Sequence, residues 1–356
     1  MKKFFKDKKV LITGHTGFKG SWLTQILLNW EADVCGLGLR PNTEPNMFDV
    51  LNLESQMRNY FIDIRDIEKV RTVLQKEKPE IVFHLAAQPI VRESYDDPIY
   101  TFSTNVMGMA NLLQSINEVD CVRAAVLITT DKVYENKEWI YPYREIDPLG
   151  GHDPYSASKA AADIIATSFI KSFFDIESIG DKHSTLIAIA RAGNVIGGGD
   201  WAKYRIVPDI VRSIYEKNEP VVLRNPSAVR PWEHVLEPLS GYLMLAKNLY
   251  EKRKEFVGAW NFGPEGSDLV SVEELTKKGI LTIGKGEIEI LGDKLKHEAH
   301  LLTLDISKAK SELKWKPILD LEKTVEFTFG WYKNFYENSG KMINHTNDQI
   351  DTYFNK

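Results

Sequence analysis

The stretch VLITGHTGFKGSWL, residues 10–23, decides the fold. Its first four residues, Val10 to Thr13, are apolar and read as a short strand, and residues 21–30 read as a helix. Between them Gly14, Gly17 and Gly20 stand in GxxGxxG spacing, with Thr16 and Phe18 inside the loop. Glycines at such places permit a tight turn and let the backbone approach a pyrophosphate, which then meets the positive end of the helix. Three glycines alone are a weak signal, and a plain tight turn would also use them. Placed between a strand and a helix near the N-terminus, they predict a dinucleotide site.

Outward from this loop the rhythm repeats. Residues 32–39, 60–63, 81–87, 124–130 and 185–191 read as further strands. Helices are predicted from Asp66, an N-cap, to Lys78, over residues 98–117, and from Pro154 with Asp153 as N-cap. Alternating strands and helices predict an α/β fold: a Rossmann-type, doubly wound parallel sheet covered on both faces. After residue 191 the rhythm loosens. Gly197 to Gly199 mark a loop, 207–217 and 237–250 read as helices, and 221–223 and 259–262 as short strands. The expected division is a dinucleotide-binding domain over 1–190, a smaller mixed α/β substrate lobe over 191–340, and a tail over 341–356. Segments near 230–262 are expected to return to the first domain. The tail is polar and is expected to be ordered only in part.

The bulk numbers exclude several classes. The 356 residues suffice for a large core. The content, 43 % hydrophobic and 27 % charged, is that of a soluble globular protein. A net charge of −5 argues against nucleic-acid binding. No apolar run approaches the roughly 20 residues of a membrane helix, and the basic start leads straight into a strand without a signal-peptide core. A cytoplasmic protein is expected, with no membrane partner. Cys35 and Cys121 lie in or beside strands, so two buried thiols are expected. His297 and His300, at i and i+3 without a third ligand, predict a polar loop and no metal site.

At the end of the second strand an acidic residue normally holds the adenosine ribose of NAD. Here the chain reads Gly36-Leu37-Gly38-Leu39-Arg40-Pro41. Arg40 can accept the 2′-phosphate of NADP, lie over an adenine face, or stay solvated. Residue chemistry alone leans to NADP. Asp63 and Ile64, ending the third strand, can reach the adenine edge with either cofactor.

Tyr155-Ser156-Ala157-Ser158-Lys159 is the sharpest motif. Positions i and i+4 share a helix face, which sets Lys159 beside the Tyr155 phenol. A cation there lowers the phenol pKa, and the phenolate can take a proton from a substrate alcohol as hydride leaves. Thr130, at the mouth of the fifth strand, faces the crevice where such sheets bind ligands and can hold the same alcohol. Asp131 and Lys132 follow it directly, an acid and a base at a strand end.

These residues resemble the extended short-chain dehydrogenase/reductase family. Within it, several stretches are similar to CDP-glucose 4,6-dehydratases: TGHTGFKGSWL (13–23), FHLAAQPIVRESYDDP (83–98), TTDKVYEN (129–136), RAGNVIGGGDWA (191–202) and RPWEHVLEPLSGYL (230–243), with Thr346, Gln349, Ile350 and Tyr353 near the end. The resemblance covers nearly the whole chain. It implies conversion of CDP-D-glucose to CDP-4-keto-6-deoxy-D-glucose, a step toward dideoxy sugars of bacterial surface polysaccharides such as the lipopolysaccharide O-antigen. It implies tightly held NAD, against the lean from Arg40, and we expect NAD. It implies cofactor contacts at Leu85, Ala86, Ala87, Asn105 and Thr129, and a homodimer or homotetramer.

Such a dehydration needs an acid and a base beside the oxidation machinery. Similar dehydratases that act on dTDP-glucose carry Asp-Glu where this chain has Asp131-Lys132. By position Asp131 is the acid and Lys132 the candidate base, or else a charged helper for the enolate oxygen. Lys132 must be neutral to act as a base, and Asp131 must be protonated, which burial or another carboxylate favours. Asn194, Trp201, Arg205, Arg230, Trp232 and His234 are expected on loops of the second lobe. Arg230 suits a diphosphate oxygen, and Asn194 a diphosphate or sugar hydroxyl. A tryptophan such as Trp232 is more often core or interface than a platform for a stacked base. Glu298 is a candidate for the nucleotide. A 4-epimerase needs no elimination pair, and a non-catalytic sensor needs neither Tyr155 nor Lys159.

Overall fold

The computed structural model of the protein describes residues 1–265, 269–291, 302–338 and 340–355. Its strands are β1 (Lys9–Thr13), β2 (Asp33–Gly38), β3 (Arg58–Phe61), β4 (Ile81–His84), β5 (Ala124–Ile128), β6 (Leu186–Ala192), β7 (Asn194–Ile196), β8 (Val221–Leu223), β9 (Val229–His234), β10 (Gly258–Phe262), β11 (Leu269–Ser271) and β12 (Ile288–Ile290). Seven of them form one sheet in the order β10-β6-β5-β4-β1-β2-β3. Every pairing in it is parallel. The order reverses at β1, and the C-terminal ends of β1 and β4 flank the resulting crevice, where doubly wound sheets bind ligands. β4, β5 and β6 are buried at every residue, as a sheet covered on both faces requires.

The longer helices are α1 (Phe18–Asn29), α2 (Ile67–Glu77), α3 (residues 98–117), α4 (Pro154–Ser172), α5 (Leu236–Tyr250), α6 (Val272–Ile283), α7 (Leu321–Glu337) and α8 (Met342–Phe354). α3 contains a π-helical segment, Ser103–Met107. One face of the sheet packs on α1 and α5 through residues such as Trp22, Ile26, Leu239 and Tyr242. The other packs on α2, α3 and α4 through Val70, Leu74, Leu112, Ile116 and Ala166. The N-caps of α2 and α4 are the expected Asp66 and Asp153, whose carboxylates accept from the N–H groups of Lys69 and Ser156.

Beyond this sheet, β7, β9 and β11 form a three-stranded sheet, and β8 pairs with β12. β10 lies at the edge of the seven-stranded sheet beside β6. Among the described residues no helix is long and apolar enough to cross a membrane.

Several expectations need correction. The tail is not loose: α8 buries Met342, Thr346, Gln349, Ile350 and Tyr353, because its few apolar residues recur on one face. The segment between β4 and α3, for which the sequence reading predicts no helix, contains the helix Val91–Asp96. Strands expected to reach residues 87 and 130 stop at His84 and Ile128, so the chain leaves the ladder where the crevice opens. Cys35 is buried, its thiol pushed up to about 12 by burial, whereas Cys121 is only half-buried.

Candidate active site

The glycine loop closes tightly. Gly14 has φ +73°, and a Cβ there would stand 2.6 Å from the backbone nitrogen of Ala86. A Cβ on Gly20 would stand 2.1 Å from the carbonyl oxygen of Gly14, so α1 must approach β1 with no side chain between them. Gly17 is the N-cap of α1 and offers its first N–H groups no side-chain partner. Such an uncapped, dipole-positive end suits an anion. Thr16 donates to the Leu39 carbonyl at 2.8 Å, which fixes the loop on the end of β2. Phe18, Leu85, Ala86 and Ala87 are half-buried around the same opening.

The outlying cofactor candidates are placed as follows. Arg40 is exposed, its guanidinium 3.9 Å over the Phe61 ring and 3.7 Å from the Glu54 carboxylate. Asp63 is engaged by Arg65 at 2.7 Å, which holds its carboxyl below the usual range. Ile64 is buried against Gly108. Asn105 spends its amide on Gln88 N (2.8 Å), Gln88 O (3.1 Å) and Ser158 Oγ (2.8 Å). It thereby ties the chain after β4 to α4. Thr129 donates to Asp163 at 3.2 Å, and Asp163 holds Arg191 in a buried bidentate pair at 2.8 Å. That pair anchors the end of β5 to β6 and α4.

Beyond Thr129 the reactive groups converge. The Thr130 hydroxyl donates to Asp131 Oδ1 at 2.9 Å. Asp131 is 3 % exposed, and its other oxygen packs on Gly193, where a Cβ would come within 2.7 Å. Lys132 is half-buried, and its amine has no hydrogen-bond partner among the described residues. Tyr155, in the first turn of α4, is buried, and burial pushes its phenol up to about 12. A hydrogen bond with Thr130 and the charge of Arg205 pull it down, while Asp131 pushes it up. Lys159 donates to the Ile128 carbonyl at 2.9 Å, and burial, with Lys19 nearby, lowers it to about 8. The phenol's partner in this structure is therefore Thr130, not the Lys159 ammonium expected from i, i+4 spacing.

Of the second-lobe candidates expected on loops, Trp201 and Arg205 lie on one, between β7 and the helix Ile206–Val211, and the other four lie on strands. Asn194 lies in β7, and Arg230, Trp232 and His234 in β9. Arg205 caps a short helix and pairs with Asp200 at 2.8 Å. Arg230 donates to the Val229 carbonyl at 2.9 Å. Trp201 belongs to an aromatic cluster with Trp331, Tyr332 and Phe335. Trp232 is buried, with its indole nitrogen unpartnered. His234 is fully buried with its ring edge-on to Trp22 and Phe327, and burial lowers it to about 3, so it packs the core as a neutral ring. Glu298, His297 and His300 lie outside the described residues. Among the described residues no group of three or more His, Cys, Asp or Glu could hold a metal ion.

The family profile of GDP-mannose 4,6 dehydratase matches residues 11–328. The chain belongs to that family. A CDP-glucose 4,6-dehydratase of Salmonella typhimurium is 47 % identical over 343 residues, covering 96 % of this chain and 95 % of that one. A putative UDP-glucose 4-epimerase of Methanocaldococcus jannaschii is 26 % identical, covering 91 % and 98 %. The fold is shared with a Thermotoga maritima UDP-glucose 4-epimerase solved with UDP-glucose (TM-score 0.78, 22 % identity, 92 % of this chain and 99 % of that one). It is shared too with a Bacillus anthracis dTDP-glucose 4,6-dehydratase solved with NAD (TM-score 0.73, 22 % identity, 92 % and 97 %).

Two residues of this member of the GDP-mannose 4,6 dehydratase family escaped the sequence reading. Lys19, inside the glycine loop, is half-buried, and Glu233, between Trp232 and His234, is buried on the opposite face of β9 from both. Strand alternation was the available signal: if His234 faces the core, Glu233 faces away from it.

Proposed function

We propose that this protein is a hydro-lyase that converts CDP-D-glucose to CDP-4-keto-6-deoxy-D-glucose with bound NAD. The observation that carries the reading is the run Thr130-Asp131-Lys132 beside Tyr155, an elimination pair set against an oxidation base. The 47 % identity to the Salmonella enzyme supports it and supplies the nucleotide. The loop of Gly14, Gly17 and Gly20, with the uncapped end of α1, fits a pyrophosphate. Glu54 beside Arg40 would meet a 2′-phosphate with like charge, which favours NAD over NADP. Asn194, Arg205 and Arg230 remain the groups we assign to the nucleotide sugar. The exposed Ile99 and Met107 of α3 and Ile164 of α4 support pairing of two copies through these helices.

In this reading the loop of Gly14, Gly17 and Gly20 would hold NAD, which would supply the hydride chemistry at C4 and C6. Thr130 and Tyr155 hold the C4 hydroxyl, and Tyr155 takes its proton. The ketone acidifies the C5–H bond, and Lys132 removes that proton. Asp131 protonates the C6 hydroxyl, which leaves as water. Lys132 then gives its proton back to C5. At the end Tyr155 has gained one proton and Asp131 has lost one. Thr130, hydrogen-bonded to both, is the path by which they reset.

The test is direct. Mass spectrometry after incubation with CDP-glucose should find a product one water lighter; a product of unchanged mass would mean an epimerase. Asp131→Asn and Lys132→Met should both still form NADH on adding CDP-glucose, then lose water slowly. In deuterated water Asp131→Asn should exchange the C5 hydrogen and Lys132→Met should not. Full exchange in Lys132→Met would leave Lys132 the electrostatic role only.

A further inference from the structure

Among the described residues, one buried acid that the proposed reaction leaves unused has no hydrogen-bond partner for its carboxylate. Glu233 is 2 % exposed, and neither carboxylate oxygen accepts a hydrogen bond. Burying an unpartnered charge is costly, so such a group either holds a proton or awaits a partner. Backbone geometry brings it to Asp131. β7 runs in register with β9, with Val195 opposite Glu233. Gly193, just before β7, is the residue against which Asp131 Oδ2 packs. At the other end of β7, a Cβ on Gly197 would meet Val235 at 2.9 Å and Phe18 at 3.1 Å. The first turn of α1, and Lys19 with it, therefore closes on the same two strands. The Lys19 amine has no hydrogen-bond partner among the described residues.

The charged and titratable groups around Glu233 come from three helices and the segment after β5. They are Lys19 of α1, Asp131 after β5, Glu237 and Tyr242 of α5, and Tyr353 of α8, with Arg205 beyond Lys19. Burial pushes Glu233 above the usual carboxylate range; Lys19 opposes this, and Glu237 and Asp131 add to it. Burial lowers Lys19, with Glu233 and Asp131 opposing. A carboxyl so buried, with neither oxygen accepting a hydrogen bond, is held as the neutral acid beside Lys19.

We propose that Glu233 and Lys19 are positioning residues for the elimination: Glu233 stores the proton that Asp131 delivers to the departing hydroxyl, and Lys19 stabilises the carboxylate left behind. This rests on the dehydratase reading. The O–H bond of Glu233 breaks and one forms on Asp131, by way of a water or sugar hydroxyl that bridges them. Asp131 passes the proton to the C6 oxygen as the C–O bond breaks and water leaves. The proton that Tyr155 took from the C4 hydroxyl refills the store through Thr130 and Asp131. No redox partner enters beyond the hydride cycle already assigned.

The experiment follows water loss from CDP-glucose against pH in the holoenzyme, in Glu233→Gln and in Lys19→Met. Water loss needs the store filled, so the wild-type rate should fall as rising pH empties Glu233, whose burial moves that fall above the usual carboxylate range. Glu233→Gln removes the store, and that alkaline limb should move to lower pH. Lys19→Met removes the cation that opposes the rise, and the limb should move to higher pH. Shifts of about one pH unit or more are expected. Opposite shifts are the signature, since structural damage would lower both rates without moving the limbs apart. Limbs that stay fixed, or move together, overturn the proposal. Infrared spectra of the wild-type holoenzyme should contain a protonated-carboxyl band at neutral pH that Glu233→Gln lacks. Absence of that band in the wild type also overturns it, whatever the variants do. If the wild type loses no water from CDP-glucose, the dehydratase reading fails instead, and the infrared band still reports on Glu233.

Discussion

Tyr155 concentrates the residue-scale argument. Burial holds its phenol near 12, so at neutral pH the resting side chain is protonated and a poor base. Thr130 and Arg205 already pull it down, and Lys159, which spends one N–H on the Ile128 carbonyl, keeps two further donors. Tyr155→Phe keeps the ring, whose burial is the larger part of its packing, and removes the proton acceptor. The dehydration rate should fall by about 10²–10⁴. Bound NAD, released by denaturation and measured by chromatography, should be retained, and a near-normal rate would remove Tyr155 from the mechanism. The nearness of Thr130, Asp131 and Tyr155 was legible in the sequence as a strand end facing a helix start, whereas the turn of Lys159 to the Ile128 carbonyl was not, since i, i+4 spacing does not say which acceptor its amine finds. Lys19 and Glu233 were not legible either, because a half-buried lysine and a buried glutamate so far apart in sequence come together only once α1 has closed on β7 and β9. His234 was misplaced for the same reason: a histidine on a strand between Trp22 and Phe327 is core, and the sequence does not say which rings surround it.

At the scale of elements, the glycine loop sets the distance between α1 and β1. Gly20→Ala would force a methyl group to 2.1 Å from the Gly14 carbonyl oxygen, which is backbone and cannot rotate aside. Overpacking of this kind costs about 1–3 kcal/mol, and here it would fall on the turn that presents the uncapped end of α1. The variant should melt at lower temperature and purify with little NAD. Full cofactor content would mean that the loop tolerates the shift and that its glycines serve the turn only. The alternation of strands and helices was readable because buried parallel strands are apolar throughout and helices carry caps at both predicted places. Strand ends were not readable. Residues 85–87 and 129–130 are apolar or β-branched enough to continue a strand, yet the chain leaves the sheet there to line the crevice.

At the scale of the whole molecule, α8 joins parts that no local signal connects. Asn347 accepts from Gln25 and Asn29 of α1 at 3.0 and 2.8 Å, and Phe354 packs edge-on against Trp30. Thr346 accepts from the Trp331 indole of α7 at 2.9 Å. Tyr353 donates to Glu237 of α5 at 2.7 Å, and Glu237 in turn accepts from the N–H groups of Ile318 and Leu319. The helix that carries the glycine loop, the start of α5 and α7 are thus fastened through one C-terminal segment. Its sequence looked polar because only one face is buried, and that face is read against three other elements at once. Deleting residues 338–356 exposes the surfaces that Ile350 and Tyr353 cover, at about 1.5–3 kcal/mol each. It also leaves the Trp331 nitrogen without an acceptor. A cooperative melt at a much lower temperature is expected, together with loss of bound NAD, since α1 loses its fastening. Tyr353→Phe separates the two effects. It keeps the ring and removes the hydrogen bond to Glu237, which should cost about 1–3 kcal/mol by thermal denaturation with NAD content unchanged. If the deletion melts as the full chain does, α8 is an ornament on the surface and the fastening argued from its contacts is wrong.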